Sequence, residues 1–322
     1  MTALRLGVDL GGTKTEAVVL RVLDDPRALP DVLARLRVPT GSEHGYAHIV
    51  ANTRQLILDV TKAAGLTTMP PVGVGMPGSA TTKDGATVVK NSNTVCLNGR
   101  PFQGDLAASL GAPVAFANDA NCFALAEATF GAAAGARVAF GVIMGTGVGG
   151  GVVFAETSGA LRVWDGAQGI AGEWGHIALE PVTGPACYCG RRGCVEKYLA
   201  GPAIERAYEA RTGRHAALVD LAARAATDAD AGAILGEMLE IFGRALAAVL
   251  CVLDPDIVVL GGGVSNLDLL YTAGVEAVSR WAFTDRLRTR IVKNALGDSA
   301  GVFGAALLPI AHPPAAEVRS EP

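Results

Sequence analysis

Three times along the chain an apolar run ends in a cluster of glycines: Val8–Thr13, Ile143–Gly147 and Val258–Gly263. A backbone that turns sharply, or comes close to a ligand, needs residues without a Cβ, and a strand end is where both demands meet. Glycine numbers 41 among 322 residues, nearly twice the usual ~7%, so position rather than abundance carries the information. One such turn is ordinary. Three in one chain are enough to serve one ligand.

The middle cluster sits in an uncharged stretch of 18 residues, Val138–Ala155, long enough to raise the question of a membrane helix. Its six glycines, four of them in Gly147–Gly151, break a helix but suit two strands about a turn. The expectation is a strand at Val138–Met144, a glycine-rich turn, and a second strand at Gly151–Phe154. The N-terminal segment has no charged stretch followed by a long apolar run, so a soluble cytoplasmic protein with no membrane partner is expected. Lys and Arg total 27 against 31 Asp and Glu, and aromatics make up 5%. Neither a nucleic-acid surface nor a base-stacking stripe follows from those numbers.

Around the clusters, short apolar runs alternate with helical periodicity, the grammar of an α/β chain. Strands are expected at Leu4–Leu10, Thr15–Val22, Val32–Val38, Pro71–Met76, Pro113–Ala117 and Ile257–Leu260. Helices are expected between Gly45 and Gly65, over Ala120–Phe130, over about Ala231–Leu253, and near Ser299–Ile310. Asp254-Pro255-Asp256 stops the third of these. Residues 312–322 read as a loose polar tail.

Gly11, Gly12 and Thr13 offer backbone N–H groups and a hydroxyl to a phosphate, and Asp9 just before them suits a water-bound Mg²⁺. The same residues also make a plain hairpin with a carboxylate at its edge. The pattern is neither a P-loop nor a GxGxxG on a βαβ unit, because the turn leads into a strand. Gly145-Thr146-Gly147 with Gly149-Gly150-Gly151 reads as a second cradle or a hairpin. Gly261-Gly262-Gly263 suits a nucleotide or a tight strand-to-helix connection.

His176, Cys187, Cys189 and Cys194 form H-x10-C-x-C-x4-C, a donor set selected by tetrahedral Zn²⁺. All four positions are filled by protein, so the expected role is structural. Cys96, Cys122 and Cys251 read as packing residues. Asp119 follows an apolar strand and opens a helix, as either a helix cap or a general base. Glu127, Glu180 and Glu205 read as surface charges.

Taken in order, DLGGTKTE, GMPGS, FANDANCFALAEA, MGTGVGGGV, GEWGH and CYCGRRGCVEKYL resemble the ROK sugar kinases from about Gly7 to Gly304. The segment KNSNTVCLNGRPF leans the likeness towards bacterial fructokinases, with N-acetylglucosamine kinases next. The resemblance implies an actin-like, ribonuclease-H-like two-domain α/β fold with an interdomain cleft and a zinc loop. It divides the chain into residues 1–118, completed by a C-terminal helix at about 299–311, and residues 119–298, which carry the loop 176–194. By that likeness Gly7, Val8, Asp9, Leu10, Gly11, Gly12, Thr13 and Lys14 flank the phosphates of ATP. So do Gly145, Thr146, Gly147, Val148, Gly149, Gly150, Gly151 and Val152, while Gly262 and Gly263 lie beside the adenosine. Asp119 becomes the base and a hexose contact; Asn93, Asn118, Glu173, His176 and Glu196 join it, with Gly78 and Ser79 giving a backbone donor. One ring nitrogen of His176 would take zinc and the other a sugar hydroxyl.

The expected reaction is transfer from Mg²⁺-bound ATP to the 6-hydroxyl of fructose, with N-acetylglucosamine or a broader glucose and mannose range as alternatives. The family also contains regulators that carry an N-terminal helix-turn-helix. Here the first strand is expected to start at about Leu4, leaving no room for one, and the intact aspartate and both cradles favour a kinase over a sugar sensor that has lost catalysis. A homodimer is the implied assembly.

Overall fold

The computed structural model describes residues 3–23, 28–83 and 86–311; the tail 312–322 lies outside them. Alternation along the first strands sets the first sheet. In β1 (Ala3–Leu10), Leu6, Val8 and Leu10 join an apolar core, while Gly7 and Asp9 turn to the opposite face. β2 (Lys14–Val22) returns antiparallel to β1, and β3 (Asp31–Pro39) pairs antiparallel with β2. α1 (Tyr46–Ala63) buries Ile49, Leu56, Ile57 and Val60. β4 (Val72–Met76) reads Val-Gly-Val-Gly-Met and lies parallel to β1. β5 (Ser79–Lys83) and β6 (Ala86–Lys90) pair antiparallel. α2 (Phe102–Leu110) precedes β7 (Val114–Asn118), which runs parallel to β4, and α3 (Asp119–Phe130) starts directly after it. The strand order is β3-β2-β1-β4-β7.

The chain continues through β8 (Val138–Met144), β9 (Val148–Ala155) and β10 (Leu161–Val163). Four helices follow: α4 (Glu196–Leu199), α5 (Gly201–Thr212), α6 (Leu218–Arg224) and α7 (Ala229–Leu253). β11 (Ile257–Gly261), α8 (Ala273–Trp281), β12 (Arg290–Lys293) and α9 (Ala300–Ala311) complete the described elements. Packing groups them into two units. Of the described residues, those within 1–135, 151–170 and 296–311 form the first; those within 136–150 and 171–295 form the second.

The two faces of the first sheet are covered in different ways. On one, Val8, Val74 and Met76 pack side chain against side chain with residues of α1 and α2. On the other, α9 lies with its backbone almost on the strands, and α3 packs its backbone against α9. A Cβ on Gly7 would run into Val302 O, one on Gly73 into Ala305 O, and one on Gly304 of α9 into Cys122 O of α3. The glycines at alternate positions of β1 and β4 are therefore the contact surface itself.

In the second unit β11 lies between β8 and β12 and is parallel to both. α7 is capped by Asp228, whose Oδ1 accepts the N–H groups of Asp230 and Ala231 at 3.0 and 3.2 Å. It stops at Asp254, in the left-handed region at φ 44°, before Pro255. Among the described residues no helix is long and apolar enough to cross a membrane. The uncharged stretch forms β8, a turn and β9.

Three expectations change. β9 begins at Val148, so Gly149–Gly151 lie in the strand and the turn is only Gly145–Gly147. Packing is the reason, since a Cβ on Gly150 would stand 2.7 Å from the Phe140 ring. Glu127 is fully buried rather than a surface charge. Its carboxylate accepts the N–H groups of Ala132 (2.8 Å) and Leu296 (2.9 Å), which terminates α3 and fixes the approach to α9. Cys251 is exposed and fills no core position, whereas Cys122 does.

Candidate active site and metal centre

Asp9, Glu16 and Arg37 form a row across β1, β2 and β3 at directly paired positions, so their side chains share one face. Glu16 is buried and meets Arg37 at 2.9 Å and Arg35 through its second oxygen. Against the cost of burial, those two guanidiniums hold the Glu16 carboxyl below its ordinary value. Among the described residues no guanidinium is bonded to Asp9. Burial, then the charges of Asp119 and Glu16, push its carboxyl up to about 6, with Lys14 and Arg37 opposing. Its Oδ2 lies 2.9 Å from where a Cβ on Gly301 would stand, so the first turn of α9 also reaches this carboxylate.

The turn after β1 closes with Gly11 N–H donating to Lys14 O at 3.0 Å. Thr40, at the end of β3, holds it from outside. The hydroxyl of Thr40 donates to Gly11 O (2.6 Å) and its N–H to Thr13 O (2.9 Å). Gly12, Thr13 and Lys14 are exposed, while Val8 and Leu10 are core residues and Gly7 lies under α9. The exposed part of the expected phosphate segment is thus its turn.

At the start of α3 two adjacent residues share one helix N–H, that of Ala120, which donates to Asn118 Oδ1 and to Asp119 Oδ1, each at 2.8 Å. Asn118 is the N-cap residue, and its Nδ2 donates to Gly78 O at 2.9 Å. Asp119 is the first helical residue. Burial raises its carboxyl above the ordinary range, opposed by backbone N–H groups including that of Ala120. A carboxylate with a raised pKa at a helix start can take a proton from a hydroxyl. Gly78, Ser79 and Asn93 belong to the same unit. Ser79 is buried and its Oγ has no hydrogen-bond partner among the described residues; Asn93 is exposed.

Glu173, His176 and Glu196 belong to the second unit. Oε2 of Glu196 accepts Val148 N–H at 3.1 Å and lies against Gly147, so this carboxylate braces the Gly145–Gly147 turn. That turn also takes Gly201 N–H on Gly145 O at 2.8 Å. Gly262 has φ 79°, and a Cβ on it would stand 2.4 Å from Met144 O, which only glycine avoids. Gly263 next to it has open space on its Cβ side. Trp174 fixes the Glu173–His176 segment by donating from Nε1 to Gly149 O at 2.9 Å.

The ligating atoms of His176, Cys187, Cys189 and Cys194 all lie within 4.8 Å of one another. Cys187 Sγ is 3.7 Å from His176 Nδ1, and the sulfurs of Cys189 and Cys194 are 3.6 Å apart. Zn–S bonds of ~2.3 Å in a tetrahedron space the sulfurs by about 3.8 Å, so this donor set fits that ion. The loop is folded by its own backbone: Cys187 N–H donates to Arg191 O (2.8 Å), Gly193 N–H to Pro185 O (2.9 Å) and Leu179 N–H to Gly193 O (2.8 Å). Nδ1 of His176 faces the sulfurs, and Nε2, expected to meet a sugar hydroxyl, lies 3.0 Å from the hydroxyl of Tyr188. Tyr188, like Thr40, was not singled out from the sequence. Its place inside the Cys-x-Cys segment was the available signal.

A model of the ROK family matches residues 5–312. The chain is 34% identical over 317 residues to an N-acetyl-D-glucosamine kinase of Aliivibrio salmonicida, covering 94% of this chain and 99% of that one. Among solved structures it resembles a ROK hexokinase from Thermus thermophilus, with a TM-score of 0.79 and 33% identity over 96% of this chain and 97% of that one. It also resembles a ROK family glucokinase from Streptomyces griseus solved with glucose and AMPPNP, with a TM-score of 0.74 and 28% identity over 94% and 98% of the two chains. The actin-like α/β fold expected from the motifs is the fold of these neighbours.

Proposed function

The chain belongs to the ROK family, and from that premise we propose that it transfers the γ-phosphoryl group of ATP to the 6-hydroxyl of N-acetylglucosamine. The observation that carries the chemistry is at Asn118–Asp119: Asn118 Oδ1 takes the Ala120 N–H that Asp119 Oδ1 also accepts, so the desolvated Asp119 carboxylate is not the sole cap of the helix and can serve a substrate. Asp119 accepts the proton of the 6-hydroxyl. The sugar oxygen forms its bond to the γ-phosphorus as the bond from that phosphorus to the ADP oxygen breaks, and ADP leaves. Gly11 and Gly145 spend their N–H groups within their own turns, so the backbone N–H groups of Gly12 and Thr13, and those of Thr146 and Gly147, would be the donors offered to phosphate oxygens. Bound magnesium supplies charge neutralisation on the phosphates, and Asp9 is the carboxylate that would hold its waters. Zinc, held by His176, Cys187, Cys189 and Cys194, would fix the ring of His176 for a sugar hydroxyl.

The choice of sugar follows the likeness along 94% of the chain to an N-acetylglucosamine kinase. Fructose rests on the segment Lys90–Phe102, and two of its asparagines serve the loop's own backbone. Asn98 exchanges hydrogen bonds with the N–H and C=O of Ser92, each at 2.9 Å, and Asn91 takes the left-handed conformation at φ 58°. A broad hexose range is the second reading, favoured by the Thermus hexokinase at 33% identity. ADP release measured over N-acetylglucosamine, N-acetylmannosamine, glucose, mannose and fructose separates these. The highest kcat/KM is expected with N-acetylglucosamine. A lead for fructose would reverse the sugar, and no ADP release with any of them would remove the reaction.

A further inference from the structure

Among the described residues, few buried side-chain polar atoms lack a hydrogen-bond partner, and Thr94 Oγ1 is one of them. Thr94 is 4% exposed. A hydroxyl buried without a partner costs stability, so its retention calls for a partner that arrives with a ligand. The main chain of Thr94 is fully engaged, with its N–H donating to Ser92 Oγ at 3.1 Å and its C=O accepting Leu97 N–H at 3.0 Å. Only the hydroxyl is left over. It lies 3.8 Å from where a Cβ on Gly12 would stand, against the exposed turn that offers N–H groups to phosphate.

The scaffold behind Thr94 leads back to the catalytic helix. Gly78 packs on the backbone of Ser92, at 2.8 Å between its would-be Cβ and Ser92 N, and Gly78 O accepts the Asn118 amide. One run of contacts therefore joins the cap beside Asp119 to the hydroxyl over Gly12. A hydroxyl on a main chain anchored at both its N–H and its C=O is preorganised for charge that shifts during transfer.

We propose that Thr94 Oγ1 donates a hydrogen bond to an oxygen of the transferring γ-phosphoryl group at the Gly11–Thr13 turn. The assignment rests on the kinase reading for its ligand, and its test also has a readout that needs no turnover. In the full-length chain, Thr94→Val keeps the shape and removes the donor, while Thr94→Ser keeps the donor. Calorimetry with magnesium compares ADP with the β,γ-imido analogue of ATP. Thr94→Val is expected to lose about tenfold in affinity for the analogue with ADP binding unchanged. Its kcat should fall about 10- to 100-fold with little change in sugar KM, and its Tm should hold or rise. Thr94→Ser should track the wild type.

Equal losses for ADP and the analogue, an unchanged kcat, a change confined to sugar KM, or a Thr94→Ser variant as impaired as Thr94→Val would each overturn the assignment. A wild type that turns over no hexose removes the kinase reading, yet the comparison of ADP with the analogue still decides Thr94. A wild type that binds neither nucleotide overturns both. Should Thr94→Val fail to fold, Thr94→Ala takes its place in the same comparison.

Discussion

Asp119 and Asp9 are two raised carboxyls with different consequences. Replacing Asp119 with Asn removes the proton acceptor but leaves the helix cap, because Asn118 Oδ1 holds the Ala120 N–H that Asp119 Oδ1 also accepts. kcat for ADP release should fall about 10²- to 10⁴-fold, with an unchanged far-UV spectrum and no loss of Tm. Retained turnover would dismiss Asp119 as the base. For Asp9, the folded state holds a proton up to about pH 6, above the ordinary carboxylate value. The folded chain thus binds more protons than the unfolded one in that window, and the stability Asp9 permits declines as pH rises through about 6. Asp9→Asn should therefore raise Tm by a few degrees at pH 7–8 and leave it alone near pH 4, while abolishing magnesium-dependent turnover. A Tm lowered at pH 8 would contradict this. Sequence pattern could place both aspartates at strand ends, but not show that Asn118 and Asp119 share the cap. Nor could it separate buried Glu127 from exposed Glu180, because burial there is decided by Leu296, far along the chain.

Among the elements, the helices and strands with strong periodicity were legible: β1, β4, β8, α1, α7 and β11 lie within a few residues of their expected limits. The Val-Gly-Val-Gly-Met run of β4 was legible as a strand but not as a seat for a helix backbone. That role needs α9, which local sequence does not bring near. Gly304→Ala tests it, since its Cβ would strike Cys122 O between two helix backbones. Stability should drop by about 3 kcal/mol, read from urea denaturation; a variant as stable as wild type would show that α3 and α9 separate easily. The loop 176–194 was legible from its four ligands alone. It has only isolated bridges, at Ala178–Cys194 and Ala186–Arg192, rather than a sheet. Metal analysis should find one zinc per chain, and a strong chelator should lower Tm and expose Cys187, Cys189 and Cys194 to thiol reagents. Unchanged thiol reactivity after chelation would refute a bound metal.

For the whole molecule, the fold class followed from alternating strands and helices, and the family motifs from order rather than from any single match. The grouping into units was not legible from local pattern, because it depends on packing among segments distant in sequence. The first unit draws on three separate stretches of chain, and α9 is the last described element. Synthesis from the N-terminus therefore makes the β1 and β4 strands some two hundred residues or more before the helix that rests on Gly7 and Gly73. At ~5–20 residues per second that delay lasts about ten seconds or more. During it the bare glycine face of the first sheet has no backbone to lie against. The nascent first unit stays unfinished until α9 emerges, so its sheet is made long before it is complete.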